Sequence, residues 1–291
     1  MKKGLLITNG FVGEQSFIKL WNSLLAAAHR RGMGLRAVSH DKLLFDAASG
    51  RPLFDPEDGD FAILWDKDVR LGYQLERLGL RVFNPPQAIE ICDDKSLTHI
   101  ALGGKLPMPP TVIVPITYKY VGYGDMEFLS RAADHLGLPM IIKECRGSFG
   151  KQVYLADSIE EAARIIAARE ATPMLLQKAI KESFGRDIRL YVVGDRVIAG
   201  MMRSNAKDFR ANIANGGRSQ AYTPTPREAE LAISAAKLLG LDFAGIDILQ
   251  SENGPLICEV NSNAHFHGME SCTGVDVAGA IIDHIMSEVE K

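Results

Sequence analysis

The stretch AGIDILQSENGPLICEVN (244–261) constrains this chain more than any other. Two apolar runs flank Glu252-Asn253-Gly254, a composition suited to a short hairpin loop. Folding the pair about Asn253 sets Asp247 roughly opposite Glu259, and the period-2 alternation of a strand puts Asn261 on the same face as Glu259. Like charges directly opposite on paired strands destabilise a sheet, and withdrawal from water worsens the conflict. One hard divalent cation would remove it, because carboxylate and amide oxygens suit Mg²⁺. The alternative is a register displaced by one or two residues, which leaves both acids solvated.

The rest of the chain supplies the frame for this hairpin. With 291 residues, 46% apolar and 24% charged, it has an ordinary globular composition and the length for two or three compact units. A formal charge of −3 gives no general pull toward nucleic acid. Cys92, Cys145, Cys258 and Cys272 lie far apart with no C-x-x-C pair, which suits reduced thiols better than a disulfide frame or zinc site. The opening Met1-Lys2-Lys3 precedes only a short apolar run, Leu5 to Ile7, and no apolar span of about 18 residues follows. The expectation is a soluble cytoplasmic protein with neither a nucleic acid nor a membrane as partner.

Strand and helix patterns alternate at first. GLLIT (4–8), GLRAVS (34–39), FAILWD (61–66) and LRVFN (80–84) read as strands. A helix from Phe17 to Ala28, closed near Gly32, and another over 70–78 separate them, which argues for a parallel, doubly wound unit. No G-x-G-x-x-G follows the first strand, so a dinucleotide site is not expected there. A helix over 87–102 follows, then the Pro107/Pro109/Pro110 cluster. Next come strands at 111–115, 140–143 and 152–156, with helices at 127–136 and 158–169. Beyond MLLQKAI (174–180), DIRLYVV and RVIAGMM flank Gly194-Asp195, a two-residue hairpin turn. Helices at 226–240 and 275–289 bracket the acidic hairpin.

Mg²⁺ usually keeps substrate phosphates as ligands, so phosphate binders are expected elsewhere. In KECRGSFGKQVYL (143–155), Lys143 closes a strand, and Gly147 and Gly150 bracket a short loop that can aim backbone N–H groups at an anion. An ordinary flexible turn would look the same. Arg189, Arg203 and Arg210, the last near Asn212, interrupt or follow apolar strands and invite an anionic partner. Solvated strand faces would explain any one of them equally well.

Lys143 with GSFG, then Gln177, GRDIRLYVVG, DFRANIANGG, AGIDIL and EVNSN occur in one order. This combination resembles the ATP-grasp superfamily and, within it, the RimK-type ligases, whose name-giving member adds glutamate to a ribosomal protein. The resemblance covers 95–291, while the first 90 residues match only as a generic strand–helix lead-in. It implies an α/β (α+β) ATP-grasp fold: an N-terminal doubly wound parallel domain over 1–90, a small lid subdomain over 91–176, and a C-terminal subdomain with the metal site over 177–291.

The resemblance also implies site residues. Lys95 and Lys143 match the family's phosphate-contacting lysines. Gln177-Lys178-Ala179-Ile180 matches the strand whose backbone meets adenine, and Asp187 matches a nucleotide-contacting acid. Arg189 and Arg203 would lie near the transferred phosphate or the acyl group, as the catalytic pair. Arg210 and Asn212 correspond to contacts with phosphate and metal, and Asp247, Glu259 and Asn261 to the ligands of Mg²⁺, or Mn²⁺ in its place. The implied chemistry is ATP-dependent joining of a carboxylate to an amine through an acyl phosphate. The amine or acid could belong to glutamate, another amino acid, a peptide, a protein tail or a small molecule. Homodimers or tetramers are the implied assembly. A nucleotide-binding regulator without turnover and a phosphotransferase that stops at the phosphorylated product are the competing readings.

The chain departs from the family after EVN, where it reads SNAHFHGME in place of a Pro-Gly turn. Ser262, Asn263 and His265 are expected to border the substrate pocket because they follow the metal ligands. His265 and His267, if extended, would share a face open to a transition metal. Asp125 and Glu127, in a Tyr-rich stretch, are candidates for a lid or an exposed connector.

Overall fold

The computed structural model describes residues 2–55, 59–148, 150–211 and 216–290. Strands β1 (Lys3–Thr8), β2 (Gly34–Ser39), β3 (Phe61–Leu64) and β4 (Arg81–Phe83) form one sheet in the order β2-β1-β3-β4, every pair parallel. Parallel strands need helical crossovers. Helices α1 (Gln15–Arg30) and α2 (Val69–Arg77) supply two of them. Leu20, Leu24, Ala27 and Ala28 are the buried face of α1, at the spacing of successive turns. Asp68 starts α2 by accepting from the Leu71 N–H.

The region expected to be one helix over 87–102 is two, α3 (Pro86–Asp93) and α4 (Lys95–Leu102). Asp94 is the break. Its backbone is extended (φ −112°, ψ 110°), and its carboxylate accepts from the Ser96 N–H at 2.9 Å, which caps α4. Lys95 therefore begins a helix, and its own N–H donates to the carbonyl of Cys145 at 2.8 Å.

A second sheet has the order β5-β8-β6-β7, from β5 (Thr111–Ile113), β6 (Met140–Glu144), β7 (Val153–Ala156) and β8 (Met174–Lys178), all antiparallel. Helices α5 (Phe128–Leu136) and α6 (Ile159–Ala167) cover one face, where Leu129, Leu136, Ile142, Ile166 and Leu176 form a core of their own. The third sheet is also antiparallel. Its order is β11-β10-β9-β12-β13, from β9 (Arg186–Val193), β10 (Arg196–Ser204), β11 (Arg218–Ala221), β12 (Phe243–Ser251) and β13 (Gly254–Asn261). Gly194-Asp195 makes the β9–β10 turn as the sequence indicates, since Val193 pairs with Arg196. The short β11 and a further helix, α8 (His267–Thr273), carry no strong sequence pattern.

Both faces of the third sheet are covered. Ile188, Leu190, Ile246 and Ile257 pack on α7 (Pro226–Leu238), together with Ala88 and Cys92 of α3 and Leu102 of α4. Tyr191, Val193 and Phe243 face the other way, toward α1, α9 (Val277–Val289) and Phe83 of the first sheet. The boundary expected at 90 thus falls inside α3, and the one expected at 176 falls inside β8. Asn84 fastens the first and third sheets together. Completely buried, it donates to the carbonyls of Phe243 and Ser262 and accepts from the N–H groups of Asp242 and Phe243. Among the described residues no helix is long and apolar enough to cross a membrane.

Candidate active site

The second and third sheets face each other across a cleft. Its floor is the charged face of the third sheet. Period-2 alternation aligns Asp187 and Arg189 on β9, and cross-strand pairing sets Arg203 beside Asp187, Asp247 beside Arg189, and Glu259 beside Asp247.

The pairing of Asp247 with Glu259 matches the sequence reading, but the turn reaches it differently. Glu252 and Asn253 alone make the turn, with Ser251 opposite Gly254. Regular pairing from there would set Asp247 against Cys258. A bulge absorbs Cys258 and restores Glu259 as the partner.

The conflict between the two acids is resolved by protein cations. Arg189 grips Asp247 through Nε and Nη2 at 2.6 and 2.7 Å. Arg203 grips Asp187 through Nε and Nη2, both at 2.6 Å, and reaches Asp247 at 2.9 Å. Lys95 Nζ lies 3.6 Å from Glu259 and donates to the Gly147 carbonyl at 3.1 Å. Charge balance alone therefore does not require a metal, contrary to the premise drawn from the hairpin. Among the described residues no three or more His, Cys, Asp or Glu side chains are grouped to hold one. Burial pushes the Asp247 carboxyl upward, but the guanidiniums of Arg189 and Arg203 win and hold it at about 2. Burial raises Asp187 against the pull of Arg203. Arg203 loses by burial and gains more from Asp247 and Asp187, so it stays charged.

Lys143 comes from the opposite wall. Only 7% exposed, it contacts the Cys258 sulfur at 3.5 Å and has no carboxylate within ion-pair distance among the described residues. Burial raises the Cys258 thiol, so that sulfur is not a counter-ion. Three carboxylates (Asp187, Asp247, Glu259) thus line the cleft with six cations (Lys95, Lys143, Lys178, Arg186, Arg203, Arg210), which leaves a positive surplus, while Arg189 holds Asp247 from outside the cleft wall.

Gly147, Ser148 and Gly150 line the cleft beside Lys143, while Phe149 lies outside the described residues. Gly147 has φ +138°, and a Cβ there would sit 2.5 Å from Gln152 Oε1, so the position needs glycine on both counts. Arg210 spans the cleft. Asp208 holds it at 2.7 Å, and its Nη1 donates to the Gly150 carbonyl at 2.8 Å, tying the third sheet to the glycine loop. Gln177, Lys178 and Ile180 line the far end with Ser183, Phe184 and Arg186. Ala179 is buried beside them, and Asn212 lies outside the described residues.

The residues after EVN go elsewhere. Ser262 is buried, with its carbonyl on Asn84, and the Asn263 side-chain amide donates to the Asp66 carbonyl at 2.8 Å. Neither they nor His265 are on the cleft wall. Gly245 permits this return, since a Cβ there would meet the Ala264 methyl at 2.5 Å. His265 packs edge-on against Phe17, and His267 begins α8 with its Nε2 3.0 Å from Ser23 Oγ, so the two rings do not share an extended face. Asp125 and Glu127 also lie off the cleft wall, with the Glu127 N–H donating to Asp125.

Cys258 and His99 are contributors that sequence patterns do not mark, since each acts through a partner distant in the chain, Lys143 for Cys258 and Gln177 for His99. Asp208, which holds Arg210, opens the DFRAN motif.

Residues 114–285 match the RimK-like ATP-grasp domain family. N-acetylaspartylglutamate synthase A of Mus musculus is 36% identical over 301 residues, covering 97% of this chain and 78% of its own length. Beta-citrylglutamate synthase B of Danio rerio is 35% identical over 227 residues, or 76% of this chain, and this chain spans only 54% of that relative. Among solved structures, the ATP-grasp ligase PsnB complexed with a minimal precursor superposes with a TM-score of 0.74 at 19% identity, covering 99% of this chain and 100% of that one.

Proposed function

The chain belongs to the RimK-like ATP-grasp family, and from that membership we propose that it is an ATP-dependent carboxylate–amine ligase. Lys143 carries the reading. It is a buried ammonium with no protein carboxylate among the described residues, facing a glycine loop and a floor with surplus positive charge, as a polyphosphate would require.

In this reading Lys95, Lys143 and the backbone of Gly147, Ser148 and Gly150 cradle the phosphates, with Arg210 beside them. Gln177, Lys178, Ala179 and Ile180 border the base. Asp247, Glu259 and Asn261 would hold Mg²⁺. The set fits: it offers hard oxygen donors, and Asp247 and Glu259 line the cleft. Bound Mg²⁺ would supply charge neutralisation across the phosphates.

Phosphoryl transfer demands alignment more than covalent help from the protein. The acid's carboxylate oxygen attacks the γ-phosphorus and ADP leaves; an amine then attacks the acyl carbon and expels phosphate. Arg203, on the cleft wall and already oriented by Asp187, would present N–H groups to the charge that develops on the acyl oxygens, and Arg189 would join it from behind Asp247. Asp187 acts here by fixing Arg203. The names of the relatives contain glutamate, which makes glutamate the first amine to test.

The test is ADP release with ATP, glutamate and a panel of carboxylic acids, with hydroxylamine added to capture the acyl phosphate. Release that depends on both substrates, with a hydroxamate formed when the amine is withheld, is the expected result. ATP bound in the cleft, with no acid–amine pair raising ADP release above that of Glu259→Gln, would overturn the ligase reading.

A further inference from the structure

Gln177 is 2% exposed, yet it lines the cleft. A carboxamide offers either donors or an acceptor to a ligand, and which one depends on how its two ends are held. Here the holding chain runs away from the cleft. Thr111 Oγ1 donates its single proton to the Pro109 carbonyl at 2.8 Å. Toward Gln177 Nε2, 3.0 Å away, it can therefore only accept.

The other N–H of the same amide meets His99 Nε2 at 3.2 Å. Burial, and then the charge of Lys143, bring the His99 pKa down to about 4, so its ring is neutral at pH 7 and one nitrogen carries a lone pair. The amide fixes which one, because with Nε2 accepting, the ring proton is on Nδ1. Turning the Gln177 amide over would set its oxygen against the Thr111 lone pairs, with no proton between them, so Thr111 fixes the amide and His99 accepts from its second N–H. Both N–H bonds are committed, which leaves Oε1 as the end free to accept.

We propose that Thr111 and His99 are positioning residues for nucleobase selection: they lock the Gln177 carboxamide with its oxygen toward the cleft, so that the site takes a 6-aminopurine and turns away a 6-oxopurine. The assignment rests on reading the cleft as the nucleotide site. An exocyclic amino group donates to Oε1, whereas a 6-oxo group sets acceptor against acceptor. Sites built around one buried hydrogen-bonding group discriminate strongly against the ligand of wrong polarity. His99 lies one helical turn from Lys95 on α4, so one helix serves both the phosphate end and the base end.

ATP and inosine triphosphate isolate the effect, since they differ only at the purine 6-position and the adjacent ring nitrogen. Dissociation constants are measured for both, and for inorganic triphosphate as the ligand without a base. Wild type should favour ATP. Thr111→Val, of nearly the same shape, and His99→Phe should each lower the ATP-to-ITP preference about 10-fold, with triphosphate affinity unchanged. Thr111→Ser should restore the preference, and it carries the test with Thr111→Val if His99→Phe folds poorly. The imidazole nitrogen spectrum at pH 7 should show the Nδ1–H tautomer for His99 in the free protein.

An unchanged preference in both variants, a loss shared equally with triphosphate, or the Nε2–H tautomer would each overturn the relay. Binding of triphosphate without binding of any nucleoside triphosphate would remove it too, while leaving the phosphate half of the cleft intact. Failure of wild type to bind either class would remove the cleft reading and the relay together.

Discussion

Replacing Arg203 with Met tests the charged floor most directly. Arg203 is 3% exposed and bonds to both Asp187 and Asp247. Without it, Asp247 keeps Arg189, but Asp187 becomes a buried carboxylate whose bidentate partner has gone. Removing one partner of a buried pair costs about 3–5 kcal/mol, about a fifth or more of the stability of a typical domain.

The loss should depend on pH. Burial already raises the Asp187 pKa in the intact protein, and removal of the opposing guanidinium raises it further. A carboxyl whose folded pKa exceeds its unfolded value is fully tolerated when protonated and penalised once ionised. The destabilisation should therefore be complete above the raised folded pKa and should fade as pH falls toward the ordinary value of 3.8. Urea unfolding followed by the fluorescence of Trp21 and Trp65, which pack in or on the core behind the third sheet, reads this out at pH 8 and pH 5. Arg203→Met/Asp187→Asn should recover much of the loss, as a double-mutant cycle requires for a coupled pair. A single variant that loses under about 1 kcal/mol, or loses equally at both pH values, would refute the account of a dry, mutually neutralising network.

Glu259→Gln removes the cleft carboxylate whose ion-pair partner is Lys95, at 3.6 Å; ADP release should disappear while the melting temperature stays within about 3 °C of wild type, checked by coupled assay and circular dichroism. Asn84→Ala leaves two carbonyls and two N–H groups unpaired at the junction of the first and third sheets, so chemical denaturation should show a loss of about 3 kcal/mol or more. His99 has a folded pKa near 4 against an ordinary 6.5, so it contributes stability above pH 6.5 that is lost as pH falls through that interval. Wild type should thus be about 3 kcal/mol more sensitive than His99→Gln to acidification from pH 7 to pH 4, read from urea midpoints at each pH.

Much of the fold lies in local pattern. The alternation of short apolar runs with amphipathic helices over the first 84 residues is enough to require a parallel sheet, because each strand must be recrossed by a helix. Gly194-Asp195 and Glu252-Asn253 mark both hairpins of the third sheet, since few residues tolerate such turns. The misreading of 87–102 as one helix has a local cause: the apolar spacing continues through Asp94, and only a side chain folding back on Ser96 N–H shows the break. β11 is short and half-exposed, so it has no apolar alternation to read.

The family resemblance marks Lys95, Lys143, Arg189, Arg203, Asp247 and Glu259 as site residues before any coordinates are known, although each charge alone could belong to a solvated face. The sequence cannot say which charge meets which. Strand register gives Arg189 to Asp247 and Arg203 to both acids, a bulge at Cys258 returns Glu259 to the row, and the return of the chain at Gly245 takes Ser262, Asn263 and His265 away from it. The polarity of Gln177 depends on residues 66 and 78 positions away, Thr111 and His99. Local sequence sets what each segment can become, since backbone propensity and apolar period act over a few residues. Charge pairing and proton direction depend on distances of about 3 Å between segments remote in the chain, and only the folded molecule decides those.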